Sequence, residues 1–407
     1  IQIMTSIFSE NNIKIAKLDD KHKLDETHSL ITKKLKYDDN YTDNSTTTTT
    51  TIEQLPVEIW RDIFDYMSSC DIIQTFKNLN YRINYIISQI PMHINLSLNI
   101  TIHIFQNLCR NIRSFNNLIR SLLLSNKDKG DAIHIFYLLL DIREFINLEK
   151  FILIHPKIDD LIDIIPKLIN LENLSTLIID SNELSENITQ LILKLKSLKI
   201  LQIFTIDKKN YIFLKKSLSI EYLILTECEL DIFNYLPITI KHLTITREIE
   251  DSLTSISNYF IFYSNLIHLK LRMNSSQCEI ISHLLKCISH TPKIISFEIA
   301  DYHYRIRKEC YSGHYWSQCL SLLPLSCKIE LYVHGPIEIK HDIDRITLKQ
   351  TFETQYFWIE RQLSVEIHFT SYFLRFFTLP YSKEIYTIPS KHTLITTTTI
   401  ATTCEEK

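Results

Sequence analysis

Glycine is almost absent: 407 residues contain only three. Turns that need positive φ must therefore be few, and phosphate sites cradled by glycine backbone are disfavoured. Neither GxGxxG nor GxxxxGK[ST] occurs, and no GxSxG marks a hydrolase nucleophile. Paired cysteines are missing as well. The nine cysteines stand singly without any CxxC, a usage that points to reduced thiols and to a cytoplasmic or nuclear compartment. No apolar run reaches the roughly 18 residues of a membrane span, and the opening residues do not read as a signal peptide. The start at Ile1, ahead of the first methionine Met4, leads us to expect a longer natural N-terminus. An excess of one charge is also lacking. A formal net charge of -3 gives no reason to expect nucleic acid or a membrane as partner.

Residue types suited to a metal gather once, at His303, Cys310, His314, Cys319 and Cys327. Their gaps are irregular and lack the close pairs of a zinc site. The expectation is no metal, no cofactor, no catalytic residue and no enzyme.

What is present is a large apolar fraction, 45% of residues against 22% charged, enough for a sizeable core. Residues 1–51 are polar and end in Thr46 to Thr51, which reads as a disordered threonine-rich arm. Residues 391–407, with Thr396 to Thr399 and Glu405-Glu406-Lys407, read as a second disordered tail.

Between the tails the apolar period changes twice. Residues 52–92 have helical spacing. Pro56 suits the first turn of a helix, and Ile59, Ile63, Phe64 and Met67 fall on one face. Ser68 to Asp71 form a capping break. A second set, Ile72, Ile73, Phe76 and Leu79, follows, and after Asn80 a third, Ile83, Ile86 and Ile87. Three such helices cover only a small core, so a packing partner is expected.

Residues 93–301 carry the repeat L-x-x-L-x-L-x-x-N/C. It is nearly complete at Leu174 to Asn182, Ile220 to Cys228 and Leu266 to Asn274, with degenerate copies at Ile119, Leu148, Leu198, Ile240 and Ile294. Each copy predicts a short strand with inward alternate leucines and a return helix or loop. Helices are expected over Ile158 to Leu168, over Ile188 to Leu195, and after a Ser276–Glu279 capping box. Residues 302–390, with Trp316, Tyr356, Phe357, Trp358 and a β-rich stretch from Leu363 to Phe369, read as a cap on the exposed end.

The Leu55-Pro56 start, Glu58-Ile59, Ile63, Met67, Asp71-Ile72, Leu79 and Arg82 together resemble an F-box. Asn80 and Ile83 depart from its usual closing helix. With the repeats behind it, the chain resembles the F-box/leucine-rich-repeat proteins expanded in some invertebrates. The resemblance implies an α/β fold: a short three-helix F-box, a leucine-rich-repeat solenoid (horseshoe), and a C-terminal cap. It also implies the substrate-recognition subunit of an SCF-type (Skp-cullin-F-box) ubiquitin ligase. Leu55, Pro56, Ile59, Ile63 and Met67 would meet a Skp-type adaptor and, through it, a cullin. The alternative is a repeat scaffold not coupled to ubiquitination. In x-L-x-L-x strands the intervening side chains line the concave face. That places Gln202, Phe204, Tyr222, His242, His268, Lys270, Arg272 and Glu298 against an unknown protein substrate, with an apolar anchor and an acidic or phosphorylated portion meeting His268, Lys270 and Arg272.

Overall fold

The computed structural model describes residues 54–97, 101–127, 131–181, 184–228, 230–245, 265–273, 278–288, 292–300, 308–336, 345–369, 373–379 and 396–400. The expected arm over residues 1–51 lies outside them, as do Asn182, Asn274, Ser276 and His303. The chain divides into two compact units, Ile1–Leu55 and Pro56–Lys407. The second contains every helix and strand below.

Three short helices open it: α1 (Val57–Asp65), α2 (Ser69–Phe76) and α3 (Tyr81–Ile87). Their boundaries follow from side-chain caps. Ser68 Oγ accepts from Asp71 N at 3.1 Å, and Asn80 Oδ1 accepts from Ile83 N at 2.8 Å. Pro56 sits one place earlier than expected, at the N-cap of α1. Leu79 lies beyond the end of α2 and is exposed, because the helix stops at Phe76.

The three helices find their packing partner within the chain. Strand β1 (Met92–Asn95) lies beside α2: His93 N donates to Ser69 Oγ at 3.0 Å, and Cys70 Sγ donates to Asn95 O at 3.5 Å. Lys77 Nζ donates to Asn111 O and Oδ1 at 3.2 and 3.1 Å, tying α2 to helix α4 (Ile102–Ile112). These contacts cover an edge that would otherwise present unpaired backbone groups.

The strands then accumulate in chain order. They are β2 (Ile119–Ser125), β3 (Lys150–Ile154), β4 (Thr176–Asp180), β5 (Ile200–Ile203), β6 (Tyr222–Leu225), β7 (His242–Ile245), β8 (His268–Met273), β9 (Ile294–Ala300) and β10 (Lys328–Pro336). From β1 to β10 every neighbouring pair is parallel. Leu122, Phe151, Leu177, Leu201, Leu223, Leu243, Leu269 and Ile295 align across the sheet. Their spacing stays within the 20–29 residues, roughly, of this repeat.

Between the strands run α5 (Ala132–Leu139), α6 (Ile158–Leu168), α7 (Glu186–Ile192), α8 (Tyr211–Lys216) and α9 (Cys278–Ile288). Their apolar stripes, such as Leu161, Ile164, Ile165 and Leu168 of α6, are buried, as are the strand leucines. Leucine face and helix stripes together make the core. The sheet is a leucine-rich-repeat type solenoid, since one supersecondary unit recurs and each repeat pairs with its neighbours.

Two polar devices hold the repeats together. Asn126, buried at the end of β2, accepts from Ile133 N at 2.9 Å and donates to the buried Asp160 Oδ2 at 3.1 Å. It joins the turn after β2 to α5 and α6. Ahead of β3 to β8, a side chain of each of these repeats donates to a carbonyl of the one before. Asn147 reaches Asn117 O (2.8 Å), Asn173 Ile146 O (3.0 Å), Ser197 Leu171 O (3.3 Å), Ser219 Leu195 O (3.2 Å), Thr239 Ile220 O (2.9 Å) and Asn265 Ile238 O (2.8 Å). Carbonyls between the turns thereby gain donors.

The expected boundary at Asp301 is not where the sheet ends. β10 adds a further parallel strand, and β12 (Phe373–Leu379) and β11 (Ser364–Phe369) continue it antiparallel. Thr396–Ile400, in the stretch expected to be a disordered tail, forms β13 against β11 and brings the sheet to 13 strands among the described residues. Threonine's branched Cβ favours strand over coil, although the tract is polar in composition. Helices α10 (Gly313–Leu320), α11 (Arg345–Glu353) and α12 (Tyr356–Glu360) lie between these strands in sequence. Trp316 Nε1 donates to Cys310 O at 2.9 Å and Trp358 Nε1 to Gly313 O at 3.1 Å. Cys70, Cys109, Cys228, Cys319 and Cys327 are buried and outside any disulfide, but Cys310 is disulfide-bonded, so the expectation of reduced thiols throughout fails there.

Candidate functional site

Two surfaces of the second unit hold the side chains singled out by sequence. The first is on α1. Its buried face is Trp60 and Phe64, whose rings lie 5.5 Å apart and meet Phe76 of α2 at 5.6 and 5.3 Å. Ile59, Ile63 and Met67 lie off that face and stay half-buried, with Pro56 exposed. The expected single face of Ile59, Ile63, Phe64 and Met67 is thus split in two. Leu55 belongs to the other unit and is half-buried. Tyr66, Leu79, Tyr81 and Tyr85 are also exposed on this trio of helices, Tyr81 by 86%.

The second surface is the sheet face opposite the leucines. Along β3 to β8 the intervening side chains are half-buried or exposed, as alternation in a one-sided sheet requires. Register puts Ile152, Ile178, Gln202, Ile224, Thr244 and Lys270 in one row. In the adjacent row, Tyr222 stacks on His242 at 4.1 Å, and His242 meets the edge of His268 at 5.7 Å. A cavity of about 290 Å³ opens at the C-terminal ends of β3 to β6, with Gln202 and Phe204 in its lining. This region brings Gln202, Phe204, Tyr222, His242 and His268 onto one face. Ile178 and Asp180, at intervening positions of β4, also line the cavity, as does Ile154, which the sequence pattern did not mark.

The basic triplet does not present three charges. Burial, followed by the neighbouring His242, holds His268 below the ordinary imidazole value, with Lys270 and Lys328 acting the same way and Glu330 opposing. Arg272 faces Glu298 at 3.6 Å. Glu298 itself is only 6% exposed, so it is not available on the surface as expected. At β9 and β10 both faces of the sheet are covered, and Ser296, Glu330 and Tyr332 are buried too. Lys270 is left as the cation of the three with no carboxylate partner among the described residues.

His334 on β10 is pushed down to about 4, by burial first and then by Arg375, with Glu298 opposing. Unfolded, its imidazole titrates near 6.5. Between those values the unfolded chain binds more protons, so this contribution is fully present above about pH 6.5 and fades as pH falls towards 4. His242 and His268 act in the same sense. Urea midpoints should drop between pH 7 and 4.5, and the drop should shrink in His334→Gln. An equal drop in both proteins would remove His334 from the account.

Of the candidate metal residues, His314 is exposed beside Gln355 and Gln318, while Cys319 and Cys327 are buried, with the Cys327 thiol pushed up to about 11 by burial. Among the described residues no three metal-ligand side chains come together, and no helix is long and apolar enough to cross a membrane.

The parallel strand ladder with its recurring leucines is a fold of the leucine-rich-repeat type. No family model matches the chain, and no curated protein does. Among solved structures it is similar to an internalin C2 from Listeria monocytogenes. The identity is 15%, over 48% of this chain and 76% of that one, with a TM-score of 0.23. A second internalin of that organism matches at 16%, over 53% and 75%, also with a TM-score of 0.23. The repeat fold rests on the strand ladder itself, not on likenesses this slight.

Proposed function

We propose that this chain is the substrate-recognition subunit of an SCF-type ubiquitin ligase. The F-box-like helices dock a Skp-type adaptor, and the open sheet face holds a protein substrate. The observation that carries the reading is the division of α1. Trp60 and Phe64 satisfy the fold, while Ile59, Ile63 and Met67, in the F-box-like pattern, are left half-exposed with Pro56. Apolar side chains left half-exposed along α1 and just past its end suit a protein interface. No transfer chemistry is asked of this chain. Its contribution is proximity, which raises the effective concentration of substrate lysines near the loaded conjugating enzyme.

A second reading has its own observation. Ser69, Cys70 and Lys77 fasten the helices over β1 and α4, which is the work of an end cap on a repeat scaffold. Affinity capture from cells with ubiquitin transfer blocked separates the two. The receptor reading predicts adaptor, cullin and cargo together; cargo without adaptor leaves the scaffold.

A further inference from the structure

The cavity at the ends of β3 to β6 has a chemistry of its own. Ile154, Ile178 and Phe204 give it apolar walls, Gln202 and Thr226 add an amide and a hydroxyl, and Asp180 stands exposed at its rim. The Asp180 carboxylate has no ion-pair partner among the described residues. At about 290 Å³ the space is at or below the small end of ligand pockets. It accommodates one or two side chains rather than a cofactor. The lone carboxylate disfavours phosphates and nucleic acid and favours a cation.

From this juxtaposition we infer that the cavity binds a peptide segment of a partner protein carrying a bulky apolar residue with a lysine or arginine beside it. The apolar side chain seats between Ile178 and Phe204, the ammonium or guanidinium meets Asp180, and Gln202 and Thr226 bond the segment's backbone. The inference rests on the reading of this sheet face as the partner surface. It reverses the charge expected from sequence, since the basic triplet is largely neutralised and lies on β8, away from the cavity.

The test is selection of a phage-displayed random peptide library against the immobilised, purified full chain. Enriched peptides should share an aromatic or leucine residue with lysine or arginine adjacent or one position removed. Asp180→Lys should turn that preference towards aspartate or glutamate. Phe204→Ala should lower recovery of the wild-type consensus at least tenfold. Asp180 is exposed at a strand end, so a thermal melt suffices to check that the charge-reversed chain is folded. An acidic consensus, a consensus indifferent to Asp180→Lys, or no enrichment at all overturns the inference. None of these outcomes involves the ligase adaptor, so failure here and failure of the receptor reading are told apart.

Discussion

Replacing Trp60 with alanine should destabilise the N-terminal helices by about 3–5 kcal/mol, the range for removing a large aromatic from a core. Trp60 is fully buried and holds both Phe64 and Phe76 at ring contact. The helices are short, and without that ring α1 has only Phe64 left to bury. The loss should appear as faster hydrogen exchange over residues 57–87, and then over β1, whose outer edge depends on Ser69 and Cys70. Trp60→Phe should cost much less. It keeps a ring and removes an indole N–H that has no hydrogen-bond partner among the described residues. Equal effects of the two substitutions would mean that the ring is not what holds α1.

Gly313→Ala should be the most damaging single-methyl change at the other end of the sheet. A Cβ there would stand 2.3 Å from Thr351 O, 2.6 Å from Thr351 C and 2.8 Å from Phe352 Cγ. Two of those atoms are backbone of α11, so no rotamer change relieves the clash. Helices α10 and α11 must separate, and with them Gly313 N to Thr351 Oγ1 (2.9 Å) and Trp358 Nε1 to Gly313 O. Overpacking of this kind costs about 1–3 kcal/mol. A lowered melting temperature checks it, and an unchanged one would show that the close approach of α10 to α11 is wrong.

The repeat strands were readable because period-two alternation and a repeat of some 20–29 residues are both written in side chains. Leu177 and Ile179, or Leu269 and Leu271, must face one way for the sheet to bury anything. β10 was missed for a physical reason. Burial of Glu330 and Tyr332 beside Leu331 removes the alternation that marks a one-sided strand. Over residues 56–67 the sequence offers two stripes at helical spacing, Trp60 with Phe64 and Ile59 with Ile63 and Met67. Periodicity alone does not say which is covered. The ladder of Asn147, Asn173, Ser197, Ser219, Thr239 and Asn265 had a signal that went unused: each directly precedes the first apolar residue of a copy. At the cavity, Ile154 looks like a core residue until register sets it on the opposite face from Phe151 and Leu153.

The central claim is that α1 folds with one face and docks with the other. Titration of a purified Skp-type adaptor into the wild-type chain and into Ile59→Lys combined with Ile63→Lys, with the unfolding midpoint of each, addresses it directly. The account predicts a midpoint near wild type and an affinity at least tenfold weaker for the double variant. Equal affinity in the two proteins, or no binding by the wild type, would contradict it.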